Sequence, residues 1–546
     1  MYECPNCGGN LRFDIASQQL ACGYCNAQFS PDEITKDKDA EESRDYEVTV
    51  FTCPQCAGEI YSTDNTAAGF CSFCGASTIL NSRLSREKRP DFIIPFKKTK
   101  EDCKTEYIKR VKKAVFAPKQ LKNPKYIDGF RGIYMPYWVY YFAQRGFLLI
   151  KGTKDHRSGD YIITEHFDLS GNLDNYYKGL SFDASSSFAD NISERIAPFD
   201  VKNMRSFTPS ILSGFYADIP DVGEEIYRED AKEDVDEQTT KYLENHKKMR
   251  KYSLKFGDNP SDTYHTQCEN VDLAMFPVWF MSYRNKDRVA YATVNGQTGK
   301  VVADLPVDIF KYMAGSLLLA VPLFILLNLF LTLVPSALLS GITILALVVT
   351  ILYEREIKAI AKKERYEEDK GAQELFRRKK QAEAEAAAAL DGMKPYVTTE
   401  KMVSKKKKGK VQWGEKTKSV IRVFCIWFIV IALRATSVFF DLFGNARLIV
   451  PAAFLVSVVF GIKSVRTAKG VQAKKGIPAT VWMMTALLFA TLIALIKPVS
   501  DLYYYASNIV CMAAILVTLI DLIKDYNILA TRKLPQFEYR GGDDRA

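Results

Sequence analysis

The feature that most constrains this chain is a cysteine pattern that occurs twice near its start. Each copy has two cysteines separated by two residues, then fourteen residues, then a second such pair. Two intervening residues let a tight turn aim both sulfurs at one ion, and two such turns supply four thiolates for tetrahedral zinc. The predicted ligands of the two sites are Cys4, Cys7, Cys22 and Cys25, and Cys53, Cys56, Cys71 and Cys74.

Both sites are predicted to be closed and structural. Four thiolates fill the coordination of zinc, so no position is left open for catalysis. A ribbon of about 25 residues cannot bury a useful core, so the metal supplies its folding energy. We expect two zinc ions per chain, with iron in a rubredoxin-like site as the alternative. Gly8, Gly58 and Gly75 are predicted to close three of the turns, because positive φ favours glycine.

The charge of the ribbons argues against nucleic acid as a partner. Residues 1–35 contain one basic side chain, Arg12, against four acidic ones, and residues 51–80 contain no lysine or arginine. DNA affinity depends on basic side chains that meet phosphates, and a zinc ion with four thiolates is itself anionic. We therefore expect structural or protein-docking modules and no nucleic acid partner.

A mixed, mostly β cytosolic domain with some helix is predicted over residues 91–310. Thr99 and Asp102 form a capping box that starts a helix, and Pro118 ends the pattern. Every fourth residue of this helix belongs to its predicted buried stripe, which is Cys103, Tyr107, Val111 and Val115.

Two aromatic-rich segments are predicted to form related strands of one core. Residues 133–142 and 274–283 each carry a proline two residues before a tryptophan. Residues 289–295 and 300–304, joined by an Asn-Gly turn, predict a hairpin. Residues 221–251 are polar and predict a helical insertion.

No catalytic motif is present in the sequence, so we expect no enzyme activity. Residues 296–301 lack the glycine spacing and the hydroxyl of a P-loop, and they fit the predicted hairpin better. No nucleophile elbow or zinc-protease signature occurs. His156 and His166 lie near acidic residues and could form a second metal or acid–base site, although polar loop residues are the simpler interpretation.

Long apolar runs predict an α-helical membrane domain of about six spans. Residues 312–353 carry no charge and make two spans, because one span takes about 20 residues. The other four predicted spans are residues 420–440, 448–461, 477–496 and 502–522, of which the second is short. A transporter would normally carry charges inside its spans, and we find little besides Arg434.

The predicted organisation is therefore multi-domain. In chain order it has a first ribbon (residues 1–35), a linker (36–50), a second ribbon (51–80), the mixed α+β domain (91–310), two spans (312–353), a basic cytosolic helix and linker (354–418), four spans (419–524) and a cytosolic tail (525–546).

Three further motifs resemble signatures of a family of uncharacterised bacterial membrane proteins. They are DFIIPF at residues 91–96, FTPSILSGFY at 207–216 and VNGQTGK at 294–300. Members are often labelled TFIIB-type zinc-ribbon proteins, and some carry the mistaken label of a primosomal helicase. The resemblance covers roughly residues 1–310, and it implies a zinc-ribbon membrane protein without implying an activity.

The sequence favours a membrane-anchored adaptor or sensor whose cytosolic zinc-ribbon head docks a protein partner, with its spans held in the lipid bilayer. A small-solute transporter or channel with a regulatory head is the alternative. A membrane-tethered nucleic-acid binder is a third hypothesis, which the acidic ribbons disfavour. The expected location is the cell membrane, with both termini in the cytosol.

The basic stretch between the second and third predicted spans gives a test of this topology. Residues 355–418 hold 19 Lys and Arg against 11 Asp and Glu, and such stretches stay on the cytosolic side. A reporter that is active only in the cytosol should be active when fused near Lys394, and should be inactive in the turn at Pro335. Activity of a periplasm-only reporter at Lys394 would reverse the topology.

Overall fold

A computed structural model describes most of the chain. The described residues are 2–35, 45–62, 71–76, 81–256, 260–285, 288–330, 334–367, 369–374, 377–378, 380–381, 445–471, 474 and 478–533. The predicted span at residues 420–440, with Arg434, lies outside the described residues.

The chain divides into two compact units, which we call the head unit and the helical unit. The head unit comprises Met1–Leu305, Tyr366–Lys380 and Thr531–Ala546, and the helical unit comprises Pro306–Arg365 and Gln381–Ala530. Each unit is therefore assembled from separate stretches of the sequence.

Sixteen strands are defined in the described part of the head unit. They are β1 (Leu11–Asp14), β2 (Gln19–Cys22), β3 (Gln28–Phe29), β4 (Asp45–Thr52), β5 (Glu59–Ser62), β6 (Asn81–Lys88), β7 (Phe92–Ile93), β8 (Arg131–Ser158), β9 (Tyr161–Asp183), β10 (Arg205–Ser206), β11 (Tyr216–Asp218), β12 (Ser253–Lys255), β13 (Thr266–Asn285), β14 (Arg288–Asn295), β15 (Val301–Ala303) and β16 (Arg532–Lys533). The α-helices of the same unit are α1 (Pro31–Thr35), α2 (Lys100–Lys113), α3 (Pro124–Ile127), α4 (Asp190–Ile196), α5 (Arg228–Asn245) and α6 (Pro260–Tyr264).

The two aromatic-rich segments lie side by side, as predicted. β8 and β13 pair antiparallel, so that Tyr134 faces Pro277 and Pro136 faces Met275. They belong to a sheet whose main path runs β10-β7-β13-β8-β11-β5-β4-β6. The predicted hairpin is also confirmed, since β14 pairs antiparallel with β15.

The strands of the second cysteine motif belong to this same sheet. β4 pairs with β5 and β6, and β5 pairs with β11. The strand β4 begins at Asp45, so the predicted linker at residues 36–50 ends earlier than expected. Val48 and Val50 are buried alternately along it, which is the period of a strand with one face in the core.

The helix α2 follows its predicted start but ends one turn early. Thr99 and Asp102 form the capping box, and Cys103, Tyr107 and Val111 are buried. Val115 was placed in the same stripe, but the helix ends at Lys113 and the Val115 side chain is 70% exposed. The helix thus ends five residues before Pro118, and the periodic pattern of the sequence continues past the end of the helix.

The predicted polar insertion at residues 221–251 contains α5, which contributes to the core. Ala231, Val235 and Leu243 are buried on one face of this helix. The first two lie in a cluster with the buried aromatic side chains of β8 and with Val222. The segment is therefore an amphipathic part of the domain rather than an appended helix.

The far ends of β8 and β9 form a long hairpin, which we call the arm (residues 145–175), and the short strand β12 pairs with β8 at residues 151–153. Ser158 pairs with Tyr161 at its tip, and Arg157 pairs with Ile162. Tyr161 and Ile162 are 78% and 74% exposed. The arm therefore presents bulky apolar side chains to solvent at its tip.

The described part of the helical unit contains five helices that are long and apolar enough to cross a membrane, which fits a multi-pass membrane protein. They are α7 (Ile309–Phe330), α8 (Pro335–Glu364), α9 (Ala446–Lys469), α10 (Ala479–Ile496) and α11 (Asp501–Ala530). The short span predicted at residues 448–461 is part of the 24-residue helix α9, which continues through Lys463 and Arg466 to Lys469.

The composition of residues 354–390, rich in Ala, Glu, Lys and Arg, predicts one long helix at the start of the basic segment 354–418, and this prediction is wrong. α8 ends at Glu364, and Tyr366 adopts a left-handed backbone conformation with φ of 52°. The alanine- and glutamate-rich composition favoured a continuous helix, but the chain turns at Tyr366 and joins the head unit.

Candidate metal centres

The eight predicted ligands lie in four turns of the same design. In each turn the carbonyl of the first cysteine accepts a hydrogen bond from the N–H four residues later, and its own N–H donates to the carbonyl five residues later. At Cys4 these bonds measure 2.8 Å from Gly8 and 2.7 Å to Gly9. The turn directs both cysteines of a pair to one place, which is why two intervening residues suit metal binding.

The residue four positions after the first cysteine has a left-handed backbone in all four turns. It is Gly8 (φ 72°), Asn26 (φ 57°), Ala57 (φ 54°) and Gly75 (φ 72°). The prediction of Gly58 for the third turn is wrong by one residue, because the left-handed position falls on Ala57. An alanine costs about 1–2 kcal/mol more than glycine in this conformation.

Each set of four sulfurs fits a tetrahedral metal ion. The Sγ atoms within each set lie within 4.8 Å of one another, and the described residues contain two such groups. Zinc–sulfur bonds of about 2.3 Å place tetrahedral sulfurs about 3.8 Å apart. The Sγ–Sγ distances are 3.6 Å for Cys4–Cys25 and 3.4 Å for Cys7–Cys22 in the first set. In the second set they are 3.8 Å for Cys53–Cys74 and 3.7 Å for Cys56–Cys71.

The electrostatics of the sulfurs also favour a cation. Backbone N–H groups of Cys25 and Tyr24 donate to the sulfur of Cys22 and lower the pKa of this thiol to about 6. In the second set, the hydrogen bond with Cys53 and those with the other two thiols, together with burial, raise the pKa of Cys71. Four adjacent thiols cannot all ionise unless a positive ion balances them, and a metal ion supplies that charge.

The two sets differ in their exposure to solvent. All four cysteines of the second set are between 1% and 3% exposed. In the first set Cys4 and Cys22 are equally buried, but Cys7 and Cys25 are exposed.

The first set, with β1–β3 and α1, packs on the segment that carries the FTPSILSGFY motif. Phe13 donates its N–H to the carbonyl of Ser213 at 3.0 Å, and the Ser210 hydroxyl donates to the carbonyl of Pro31 at 3.0 Å. Leu11, Phe13 and other apolar side chains of this module lie in the main core of the head unit.

The second set is covered by strands β13 and β14. The Tyr291 hydroxyl donates to the carbonyl of Phe73 at 2.8 Å, and Arg284 donates to the Gln55 side chain at 2.7 Å. The Phe73 ring also meets Phe280 edge-on, with 6.4 Å between centroids. The site is therefore enclosed between its own turns and the sheet.

The remaining sequence candidates do not assemble into a further site among the described residues. His156 and His166 lie within the paired strands of the arm, opposite Ile163 and Thr153. Residues 296–300, within the segment compared above with a P-loop, form the β14–β15 turn. In this turn the Asn295 side chain accepts hydrogen bonds from the backbone N–H groups of Gln297 and Thr298.

Two buried polar clusters were missed by sequence reasoning. In the helical unit, the Lys474 ammonium lies 2.7 Å from Asp521 and 2.5 Å from Asp525, and the Tyr353 hydroxyl donates to Asp521 at 2.8 Å. The two carboxylates are one helical turn apart, a spacing that could have revealed them. The predicted span at residues 502–522 already contained Asp521, which the search for charges within the spans overlooked, and Asp525 was assigned to the tail.

The second cluster lies in the head unit. The Tyr227 hydroxyl and the backbone N–H of Lys370 donate to Asp190 at 2.7 and 2.9 Å. Burial raises the pKa of the neighbouring Asp183, and the charges of Asp190 and Asp369 raise it further. These partners are about 180 residues apart in sequence, so no local pattern reveals the cluster.

Apolar helices and paired four-cysteine clusters define the class: they fit a membrane protein with a metal-binding head. The sequence is similar to the uncharacterized protein YdjG of Bacillus subtilis (strain 168). The two are 29% identical over 318 residues, which are 57% of this chain and 92% of YdjG. No protein-family model matches the chain, and no solved structure matches it.

The left-handed turn position gives a test of the first site. A Cβ added at Gly8 or at Gly23 would meet no atom within 4 Å, but only Gly8 has a positive φ. We expect Gly8→Ala to weaken metal binding at the first site by about 1–2 kcal/mol, a factor of about 5 to 30. Gly23→Ala is the control and should change it by less than about 0.5 kcal/mol. Chelator competition on the full chain measures both, and equal effects would contradict the role of Gly8.

Proposed function

We propose that this chain is a membrane-anchored adaptor or sensor whose zinc-ribbon head docks protein partners. The observation that carries the proposal is the arm, which ends in Tyr161 and Ile162 exposed to solvent. Exposed bulky apolar side chains at one place are typical of protein contact sites, and aromatic residues supply much of the binding energy there. Two closed four-sulfur sites support a structural role for the metal.

The proposed metal is zinc, bound in two ribbon modules. Closed four-thiolate sites are typical of structural zinc, and they leave no position for a substrate. We propose accordingly that the protein is not an enzyme. The low content of basic side chains in both modules favours protein over nucleic acid as the partner.

Zinc content tests the metal proposal. We expect the purified full chain to contain about two zinc ions, because each closed set of four thiolates holds one. Cys22→Ser should reduce this to about one, whereas Cys268→Ser, outside both clusters, should leave it at about two. Elemental analysis measures the ratio. A folded chain with no zinc, or with iron in its place, would contradict the proposal.

The proposed topology has six spans and both termini in the cytosol. The sixth span is the apolar segment at residues 420–440, which lies outside the described residues. The basic residues at the end of α9 and after it favour the cytosolic side for that end. An even number of spans then returns the chain to the side where it began, which suits reduced, metal-bound cysteines.

A small-solute transporter or channel is the second candidate, and the cluster of Lys474, Asp521 and Asp525 favours it. Ionisable residues within membrane helices commonly mark pathways for ions or protons. Asp525 is fully buried, and its Oδ2 atom has no hydrogen-bond partner among the described residues. Ion-gradient-driven flux in proteoliposomes, abolished by Asp525→Asn, would favour this candidate over the adaptor.

The arm gives the test of the adaptor. Substitution of both Tyr161→Ser and Ile162→Ser removes the exposed apolar tip, so partners that copurify with the full chain from native membranes should be lost. A loss of tenfold or more is expected, since each contact of this kind contributes about 1–2 kcal/mol. Quantitative mass spectrometry of the purified complexes measures the loss.

The matched control for the arm is Val115→Ser. Val115 is similarly exposed at 70% but lies after α2, on another part of the head unit. Its substitution should leave the partners in place, and the zinc content of both variants should stay at the wild-type value. The adaptor proposal fails if the arm variant retains every partner of the wild-type chain, or if both variants lose the same ones.

A further inference from the structure

The two metal centres differ most in the surroundings of their sulfurs. Cys7 and Cys25 of the first centre are exposed, and Tyr24 between the ligands of its second turn is 82% exposed. A small solute can therefore reach these two sulfurs directly. The turn around Cys22 is open as well, since a Cβ at Gly23 would meet nothing within 4 Å.

The second centre is closed to solvent on the corresponding sides. Cys71 and Cys74 are 3% and 2% exposed, and Phe73 between them is 2% exposed. A Cβ at Gly75 would lie 3.3 Å from side-chain atoms of Ser282 and of Arg284. Its sulfurs are therefore packed against the sheet, where an aqueous reagent has no approach.

We propose that the first centre is a site of reversible oxidation by peroxide, and that the second centre is inert under the same conditions. The proposal rests on the proposed zinc occupancy and extends it. Oxidation of a cysteine requires that the oxidant reach its sulfur, and a disulfide requires a second sulfur close by. Cys7 is exposed, and its sulfur lies 3.4 Å from that of Cys22, so the pair meets both requirements.

The chemistry balances with one peroxide for each disulfide. The Cys7 thiolate attacks one oxygen of hydrogen peroxide, which gives a sulfenic acid and a hydroxide that takes up a proton. The Cys22 thiolate then attacks this sulfur, forms the S–S bond and expels a second hydroxide, which is also protonated. Two thiolates, one peroxide and two protons thus give one disulfide and two waters. The two thiolates that remain, Cys4 and Cys25, are too few to hold a tetrahedral ion.

Oxidation at this centre would loosen one defined part of the head unit. A module of this size depends on its metal for folding. The module covers Ile211, Leu212 and Phe215, which lie in the same core cluster as its own Leu11 and Leu20. Loss of the metal would therefore uncover the segment of the FTPSILSGFY motif, so that an oxidant becomes an input to the proposed sensor.

The experiment uses the full chain loaded with zinc and treated with hydrogen peroxide. We expect one zinc ion per chain to be released at least about tenfold faster than the other, measured with a chromogenic chelator. Disulfides mapped by mass spectrometry should join cysteines of the first centre only. A thiol reductant with added zinc should restore two ions per chain.

Two variants assign the released ion. The single zinc of Cys56→Ser should leave at the fast rate, and the single zinc of Cys22→Ser should resist peroxide. Because Cys56→Ser disturbs a buried part of the sheet, the disulfide map of the wild-type chain decides independently. Equal release rates for the two ions, or disulfides within the second centre, would overturn the proposal. A chain that binds no zinc before treatment would refute the metal proposal itself.

Discussion

The pairing of β8 with β13 is the contact on which the rest of the head unit depends. Each strand carries a proline inside its paired region, and a proline has no N–H to give to a neighbouring strand. The carbonyl of each proline accepts a hydrogen bond from another part of the chain. The Pro136 carbonyl accepts from the N–H of Ala184 at 2.9 Å, and the Pro277 carbonyl accepts from the N–H of Gly296 at 2.8 Å. The two related strands thus hold the end of β9 and the β14–β15 turn in equivalent ways.

The three motifs that carry the family resemblance meet at Phe96. This ring stacks on Phe215 with 4.5 Å between centroids, and a Cβ at Gly296 would lie 2.5 Å from it. The carbonyl of Phe96 also accepts a hydrogen bond from Gln18 of the first cysteine module. A glycine at 296 is therefore a packing requirement, and Phe96 links the three motifs to the first cysteine module.

Sequence reasoning succeeded where a local sequence pattern determines the local structure. Cysteine spacing located both clusters, and the capping box at Thr99 located the start of α2. It failed where tertiary contacts decide the outcome. Val115 matched the helical period but lies beyond the helix end, and the left-handed turn position fell on Ala57 although glycine followed it. The exposure difference between the two centres depends on which strands cover each of them, and no spacing rule contains that information.

The order of the chain gives the sensor proposal its physical basis. A single residue, Arg365, separates the end of α8 from the part of the head unit that starts at Tyr366. Within the head unit, Lys370 then contacts Asp190 and Asp230. After α11 the chain likewise enters β16 within two residues, and this strand pairs with β14. The connections between these apolar helices and the head unit are therefore only one or two residues long, far shorter than a flexible linker.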